Sequence, residues 1–323
     1  MPGSITAKEA LLFRAFPQHR LPGFNPDLPC PDIGWPTAVF HTADVPADYP
    51  AHHAPLSLLC SFGGTTTYTV GQRQLAIDDS SYLVLNDGTP RTFTVEQLAP
   101  VEALQLYIRP ERFADIAHSL TTASHALLEQ PADNHTAQLS FFEQRYHYDA
   151  TLAPLLFALR RDIQARTLDP ARLDEQLDII IEGLLFVHQQ VLAQIARLPA
   201  TRPATRHEIY RRLHIARDFM HAHATQPIRL HQIAEAAALS QHHFLRLFRQ
   251  VFHETPHQYL THLRLEQAQG LLRSTDLPIS AICQEVGFSS LPSFSLLFKR
   301  HVQMSPQAYR RQQRTAQFSI HAP

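Results

Sequence analysis

Four side chains able to hydrogen-bond to bases and phosphates cluster in the last third of the 323-residue chain: His242, His243, Arg246 and Arg249. Arg246 follows His242 by four positions, so a helix would present both on one face. Arginine suits a bidentate contact with guanine, and histidine can donate or accept at base edges or phosphates. If this helix meets nucleic acid, we expect Arg246 to contact bases and Arg249, which lies further along the helix, to contact phosphate; otherwise both are solvated arginines.

The segment that carries these residues is predicted to be an amphipathic helix. Phe244, Leu247, Phe248 and Val251 form the i, i+3, i+4, i+7 stripe of a helix with one buried face. Ser240 occupies the position of an N-cap. A shorter helical segment and a tight turn precede it, which is the arrangement of a helix-turn-helix whose second helix enters the major groove.

The same module occurs a second time, about fifty residues later. The offset between copies is 49 residues before the turn and 50 after it, so the second copy has one extra turn residue. Seven positions of the first copy correspond to seven positions of the second. They pair Ile233-Ala234 with Ile282-Cys283, Phe244 with Phe294, Phe248 with Phe298, Thr255-Pro256 with Ser305-Pro306, and Tyr259 with Tyr309.

This doubled pattern resembles the DNA-binding domain of the AraC/XylS family of bacterial transcription regulators. Besides the paired positions, the resemblance is carried by Ser240, Arg249, Arg264, Ala268, Leu271-Leu272, Gly287-Phe288, Lys299 and Arg310. It implies two helix-turn-helix units, at about 231–252 and 280–302 of a domain spanning 207–315. It also implies that a long helix joins them and that both recognition helices meet one face of a double-stranded DNA operator. A transcription activator that also contacts RNA polymerase is the expected function.

The second recognition helix departs from the family pattern. Arg246 and His242 of the first copy correspond to Leu296 and Pro292 of the second. Leucine can contact a thymine methyl group but forms no hydrogen bond with a base edge. The predicted DNA-facing residues of this helix are Leu291, Ser293, Ser295, Leu296, Lys299 and Arg300. We expect Lys299 and Arg300 to hold phosphates. The glycine usual before each Thr/Ser-Pro is replaced by His253 and Gln303.

Charge is distributed unevenly along the chain, although the net charge is only −1. Residues 206–315 hold 14 of the 28 Lys and Arg but only 7 of the 29 Asp and Glu, a net +7 that leaves −8 on the remainder. A basic C-terminal domain predicts nucleic acid at that end. The three cysteines are scattered, and no secretory signal pattern is present, so we expect a cytoplasmic protein without disulfides.

The N-terminal part predicts β-structure, which makes the chain an α+β multidomain protein. Seven short β-rich segments separated by turn residues lie between residues 37 and 109, typical of a barrel or double-sheet jelly roll. By position, the resemblance implies a cupin-like effector-binding barrel at 37–130. Proline-rich residues 1–36 are predicted to form an arm, with a helical turn at Ala7–Phe16.

The barrel is expected to bind a small organic effector and no metal or other cofactor. Candidate lining residues are Cys60, Tyr68, Tyr82, Arg91 and Tyr107. His41, His52 and His53 raise the question of a metal centre. However, the His52-His53 pair is adjacent, so the rings would point to opposite faces of a strand, and no acidic residue follows until Asp78.

Helices are predicted after the barrel, in a region assigned to 131–198 and followed by a linker at 199–206. One helix carries apolar residues at alternating spacings of four and three, with a histidine filling the gap. This seam comprises Leu177, Ile181, Leu184, His188, Val191 and Ile195. It fits either a homodimer contact or packing within the chain. The run is interrupted by Asp178 and Glu182, so no membrane span is predicted.

Two other classes of protein fit the pattern less well. A cupin-type metal-dependent enzyme with an appended DNA-binding module would need an acidic ligand and a third histidine that the sequence does not place. An architectural DNA-binding protein without an effector would not need about 200 residues before its DNA-binding domain.

Overall fold

The computed structural model describes residues 10–13, 36–42, 48–52, 54–71, 73–95, 101–125 and 140–320. The chain divides into two compact units, Met1–Gln194 and Ile195–Pro323. The first unit contains two β-sheets followed by helices, and the second is helical. This arrangement confirms the α+β class predicted from the sequence.

Ten strands in the described part of the first unit form two sheets. The six-stranded sheet has the order β1-β2-β9-β4-β7-β10, and the four-stranded sheet has the order β3-β8-β5-β6. The strands are β1 (Leu11–Phe13), β2 (Ala38–Thr42), β3 (Asp48–His52), β4 (Leu56–Phe62), β5 (Thr66–Val70), β6 (Arg73–Ile77), β7 (Ser81–Leu85), β8 (Arg91–Val95), β9 (Glu102–Ile108) and β10 (Gln144–His147). All seven predicted strands are present.

Three strands were not predicted as such. The segment Ala7–Phe16 was expected to contain a helical turn, but Leu11–Phe13 pairs in parallel with β2. Phe13 stacks on Phe40 with ring centroids 4.8 Å apart. The edge of the sheet therefore gives these three apolar residues a partner that an isolated helical turn would lack. Strands β3 and β10 were also missed. Most of the predicted arm, and His53, lie outside the described residues.

The core of the first unit lies between the two sheets. Alternate residues of each strand point into it, as the pleat requires. The core includes Phe40 and Leu59 from one sheet with Tyr68, Leu75 and Phe93 from the other. Residues on the other face of the six-stranded sheet, such as Leu58 and Leu106, are equally buried. Both faces of that sheet are therefore covered.

The described part of this unit contains the helices α1 (Pro110–His125) and α2 (Leu152–Ala165) and all but the last two residues of α3 (Pro170–Ala196). Arg112 of α1 forms ion pairs with Asp174 and Asp178 of α3. Gly183 of α3 lets α2 approach closely, because a Cβ there would lie 3.1 Å from a methyl group of Leu152. These contacts tie the three helices together.

The predicted apolar seam of α3 is covered by the chain itself. Its members, Leu177, Ile181, Leu184, His188, Val191 and Ile195, are all buried. The packing alternative therefore accounts for the seam, and a dimer could not use it without opening the fold. The exposed apolar residues of α3 are Ile179, Phe186 and Leu192. Within the described ranges, α3 alone has the length and composition of a membrane span, but half of its apolar window is buried.

Seven helices form the described part of the second unit. They are α4 (Pro203–Ala222), α5 (Leu230–Ala236), α6 (Gln241–Phe252), α7 (Pro256–Ser274), α8 (Ile279–Glu285), α9 (Leu291–Val302) and α10 (Pro306–Ile320). Helix α4 begins four residues before the predicted start, with Pro203 in its first turn, where proline lacks only an N–H that has no helical partner. The last four residues of the predicted linker are therefore helical.

Candidate nucleic-acid interface

Helices α5 and α6 form the first helix-turn-helix. Ser240 caps α6, because its hydroxyl accepts a hydrogen bond from the His243 backbone N–H. Phe244, Leu247 and Phe248 of the predicted apolar stripe are fully buried, whereas Val251 at its end is half-buried. The Phe248 ring packs against Phe252 and Tyr259 with centroids 4.5 and 5.7 Å away. The buried face thus fixes which face of α6 is left to solvent.

Helices α8 and α9 form the second helix-turn-helix on the same plan. Ile282 and Cys283 of α8 pack with Phe294 and Phe298 of α9 and with Tyr309 of α10. The Phe298 and Tyr309 rings meet edge to face at 5.7 Å, the same separation as between Phe248 and Tyr259 in the first helix-turn-helix. The aromatic residues that the repeat pairs therefore occupy the same places in both copies.

The turns of the two units share their backbone bonds. In the first turn, the Ala238 N–H donates to the Glu235 carbonyl and the Leu239 N–H to Ala234. In the second, Gly287 and Phe288 donate to Gln284 and Cys283. Ala238 and Gly287 both have positive φ, +50° and +86°. His253 and Gln303 also adopt the left-handed conformation, at the turn positions where the resemblance predicts glycine.

Helix α7 joins the two helix-turn-helix units. Thr255 and Gln258 form a capping box at its first turn. Arg264, in its middle, donates from Nε to the Ala224 carbonyl at 2.6 Å and from Nη2 to the Gln226 carbonyl at 2.7 Å. A Cβ on Gly287 would lie 2.6 Å from the Thr225 carbonyl oxygen and 3.1 Å from Cζ of Arg264. The second turn is therefore packed directly against the segment that follows α4.

The solvent-facing side of α6 carries the predicted nucleic-acid contacts. His242, Arg246 and Arg249 are exposed, and His243 is half-buried. Within the described part of the chain, no hydrogen bond or ion pair is formed by the side chain of Arg246 or Arg249. Both guanidinium groups therefore keep their donors available to a ligand on this face.

The corresponding face of α9 is largely apolar. Leu296 is 61% exposed and Leu291 is 40% exposed. Ser293, Lys299 and Arg300 are also exposed, and Ser295 is half-buried. Pro292 occupies the first turn of the helix, where its missing N–H is tolerated. The two cations thus lie at the C-terminal end of α9, while its first two turns present leucine, proline and serine.

Comparison with known proteins agrees with this geometry. A model described as a helix-turn-helix domain matches residues 233–312. The chain is 39% identical to the HTH-type transcriptional regulator AlkR of Acinetobacter baylyi over 93 residues, which are 29% of this chain and 30% of AlkR. It is 32% identical to the regulatory protein SoxS of Salmonella typhimurium over 93 residues, 29% of this chain but 87% of SoxS. The chain belongs to the AraC/XylS family of transcription regulators.

A solved structure of an AraC-type DNA-binding domain protein from Chromobacterium violaceum is also similar. It is 33% identical, with a TM-score of 0.31, over 32% of this chain and 91% of that one. This AraC-family chain matches AlkR over less than a third of AlkR's length. The helix-turn-helix match at residues 233–312 lies wholly within the second unit.

The predicted effector-lining residues of this AraC-family chain separate into two groups. Tyr68, Arg91 and Tyr107 point into the core between the sheets and are fully buried. Cys60 and Tyr82 lie on the opposite face of the six-stranded sheet. There the Tyr82 ring stacks on Tyr146 at 5.3 Å, and burial raises the pKa of the Cys60 thiol to about 12. The structure does not bring these two to the other three.

Gln105, which the sequence reasoning missed, links two of the inward-facing tyrosines. Its amide nitrogen donates to the Tyr68 hydroxyl at 2.8 Å, and the Tyr107 hydroxyl donates to its amide oxygen at 2.7 Å. Gln105 lies two residues before Tyr107 on β9, so strand alternation places both on one face. That alternation is the signal that would have found it.

Of the three histidines that raised the question of a metal, His41 is the one whose side chain the structure describes. His41 forms a 2.6 Å contact with Glu102, whose pKa is lowered by its hydrogen bonds with Arg160 and His41 against the opposing effect of burial. Arg160 of α2 reaches the same carboxylate at 2.6 Å. No group of three His, Cys, Asp or Glu side chains is arranged around a common point among the described residues. Glu102 instead connects β2, β9 and α2.

Proposed function

We propose that this protein is a sequence-specific regulator of transcription that binds double-stranded DNA through α6 and α9. The observation that carries the proposal is the exposed face of α6, where His242, Arg246 and Arg249 project from a capped and rigidly packed helix. The net charge of +7 on residues 206–315 supports the same conclusion. Phosphate contacts supply affinity, and base contacts supply specificity.

The two recognition helices are proposed to contribute differently. Helix α6 would read bases, because Arg246 can bond to guanine and His242 to a base edge. Helix α9 would mainly hold the backbone through Lys299 and Arg300, with Leu291 and Leu296 against thymine methyl groups. Half of each binding site would then be read more strictly than the other half.

The N-terminal sheets are proposed to form a cupin-like domain that binds a small organic effector and so controls transcription, as an activator that contacts RNA polymerase in the cytoplasm. A homodimer is the proposed assembly. Because the seam of α3 is buried, its exposed residues Ile179 and Phe186 are the better candidates for the contact. They lie seven residues apart, the repeat of a helix-helix seam.

Selection of DNA by the purified full-length chain from a randomised duplex library tests the central proposal. We expect a defined motif, with an affinity that falls steeply as salt rises because binding releases counterions. The variant Arg246→Ala/Arg249→Ala should lose this selection. A protein that enriches no motif, or whose binding ignores salt, would exclude the proposed function.

Assembly is tested by light scattering at micromolar concentration. Phe186→Lys should give a folded monomer if α3 forms the dimer contact. Lys at buried Ile181 should instead unfold the first unit, because it places an unpaired charge in the core. A monomeric wild type would remove the dimer from the proposal.

A further inference from the structure

Arg91 is the one charged side chain among the largest fully buried residues of the described chain, with 1% of its surface exposed. It is the first residue of β8, and the alternation of that strand places it on the inward face with Phe93. Its guanidinium remains protonated at any pH a folded protein meets. The first unit therefore holds a permanent positive charge between its sheets.

The hydrogen bonds of Arg91 go only to backbone carbonyl groups. Nε donates to Thr89 at 3.2 Å, and Nη2 donates to Ala54 at 3.3 Å and to Asn86 at 3.2 Å. These use three of the five guanidinium protons. Nη1 is buried and has no hydrogen-bond partner within the described residues. Two donors of a buried cation are thus left on a single nitrogen.

The loop around Arg91 is held in place independently of that nitrogen. Glu143 accepts from the Asn86 backbone N–H at 3.0 Å and from the Thr89 hydroxyl at 2.7 Å. The Asn86 side chain exchanges hydrogen bonds with the backbone of Phe141, both at 2.8 Å. The carbonyls that orient the guanidinium are therefore themselves fixed, and Nη1 is presented in one direction.

No carboxylate neutralises this cation by direct contact in the part of the chain that the structure describes. Glu143 and Asp87 act on Arg91 only through space, and burial outweighs them, because it lowers the pKa of Arg91. Burying an ion without a contacting counter-ion is costly, since dipoles of carbonyl groups replace water only in part. An anion bound at Nη1 would offset that cost.

Aromatic side chains line the same core. The Tyr68 and Phe93 rings are 5.5 Å apart, and Phe40 and Tyr107 are 5.2 Å apart. The Tyr68 hydroxyl accepts from Gln105, and no acceptor for its own proton is present among the described residues. An apolar body would find aromatic contacts here, and polar groups on it could meet the tyrosine hydroxyl.

We infer that the first unit binds a small organic carboxylate between its sheets, with the carboxylate on Nη1 of Arg91 and an apolar body among Tyr68, Phe93 and Tyr107. This inference rests on the proposed effector role and assigns the chemical class of the effector. A monoanion matches the single charge of the guanidinium. A phosphate dianion would leave a second charge buried without a partner.

Calorimetric titration of the full-length protein tests the inference with acids and their matched amides. The probes are acetate, hexanoate and 3-phenylpropanoate, each compared with acetamide, hexanamide or 3-phenylpropanamide. We expect at least one carboxylate to bind and its amide to bind more weakly by about tenfold or more, since a charge-assisted bond is lost. This comparison uses the wild type and needs no variant.

Arg91→Met should abolish carboxylate binding. Arg160→Met is the matched control, because that arginine already has a carboxylate partner in Glu102, and it should leave the titration unchanged. If Arg91→Met does not fold, Arg91→Lys replaces it. Lysine retains the charge without the planar fork, so the carboxylate should still be preferred over the amide but bind more weakly.

Three results would overturn the inference: an amide that binds as tightly as its acid, unchanged binding by folded Arg91→Met, or no binding of any carboxylate. The first would leave an effector role with a neutral ligand. DNA binding measured on the same samples without probe separates these outcomes from failure of the proposed regulator. A chain that still selects its DNA motif retains that function even when the anion site is absent.

Discussion

The two helix-turn-helix units have the same buried face and different exposed faces. Phe244 and Phe248 of α6 answer to Phe294 and Phe298 of α9, and all four are fully buried. On the solvent side, Arg246 answers to Leu296, which is 61% exposed. The fold of a unit depends on its buried residues, so the exposed positions are free to differ. Repeated structure therefore does not imply repeated recognition.

The turns of the two helix-turn-helix units have the same backbone conformation but differ in backbone strain. Ala238 and Gly287 occupy equivalent positions with φ of +50° and +86°. A residue with a Cβ is destabilised by about 1–2 kcal/mol in that conformation, whereas glycine is not. The first turn therefore carries a strain that the second avoids. Four predictions test these contrasts, in decreasing order of expected effect.

Gly287→Ala should produce the largest change. Alanine would be strained at φ +86°, and its Cβ would lie 2.6 Å from the Thr225 carbonyl oxygen, a backbone atom that cannot easily move. We expect a loss of about 2–3 kcal/mol in the free energy of unfolding, from strain and forced movement together. Chemical denaturation of the full chain measures it. An unchanged midpoint would show that the segment after α4 gives way freely.

Arg246→Ala should relax base preference at one or two positions in one half of the DNA site. Loss of a bidentate contact costs about 1–3 kcal/mol of discrimination. The matched variant is Leu296→Ala, which should do little beyond a loss at a thymine. Binding of each variant to a randomised DNA library at fixed salt makes the comparison. A larger shift for Leu296→Ala than for Arg246→Ala would reverse the assignment of the reading helix.

Lys299→Ala should weaken binding by a similar factor for all sequences. Lys299 is exposed near the C-terminal end of α9, and one phosphate contact contributes about 0.9 to the slope of log affinity against log salt. The slope should fall by about one unit, with base preference unchanged. Titrations at several salt concentrations check this. An altered motif with the same slope would instead place Lys299 against a base.

Ala238→Gly should stabilise the first helix-turn-helix by up to about 1 kcal/mol, the smallest effect of the four predictions. Removing the Cβ relieves the strain at φ +50°, although glycine also gains freedom in the unfolded chain. Denaturation of the full chain, analysed beside Gly287→Ala, gives the sign. Destabilisation would mean that the Ala238 methyl group contributes packing that outweighs its backbone strain.

Much of the second unit could be predicted because its signals are local. The stripe from Phe244 to Phe248 and the cap at Ser240 each lie within one or two helical turns, and each is present in the structure. Seven strands of the first unit were predicted for the same reason, since alternation and turn residues act over a few positions. Leu11–Phe13 was mistaken for helix because three residues carry no periodicity.

Tertiary structure alone decided what covers each buried residue. The period of α3 showed that Ile181 and Leu184 are buried, but both a second chain and the same chain would satisfy that pattern, and the fold supplies the cover. Strand alternation separates Cys60 from Tyr68 only once the sheets are paired. The hydrogen bonds of Arg91 go to the backbone carbonyl groups of Ala54 and Asn86, and no pattern in the sequence indicates these partners. Local periodicity determines which side chains leave water, whereas partners come from contacts between distant segments.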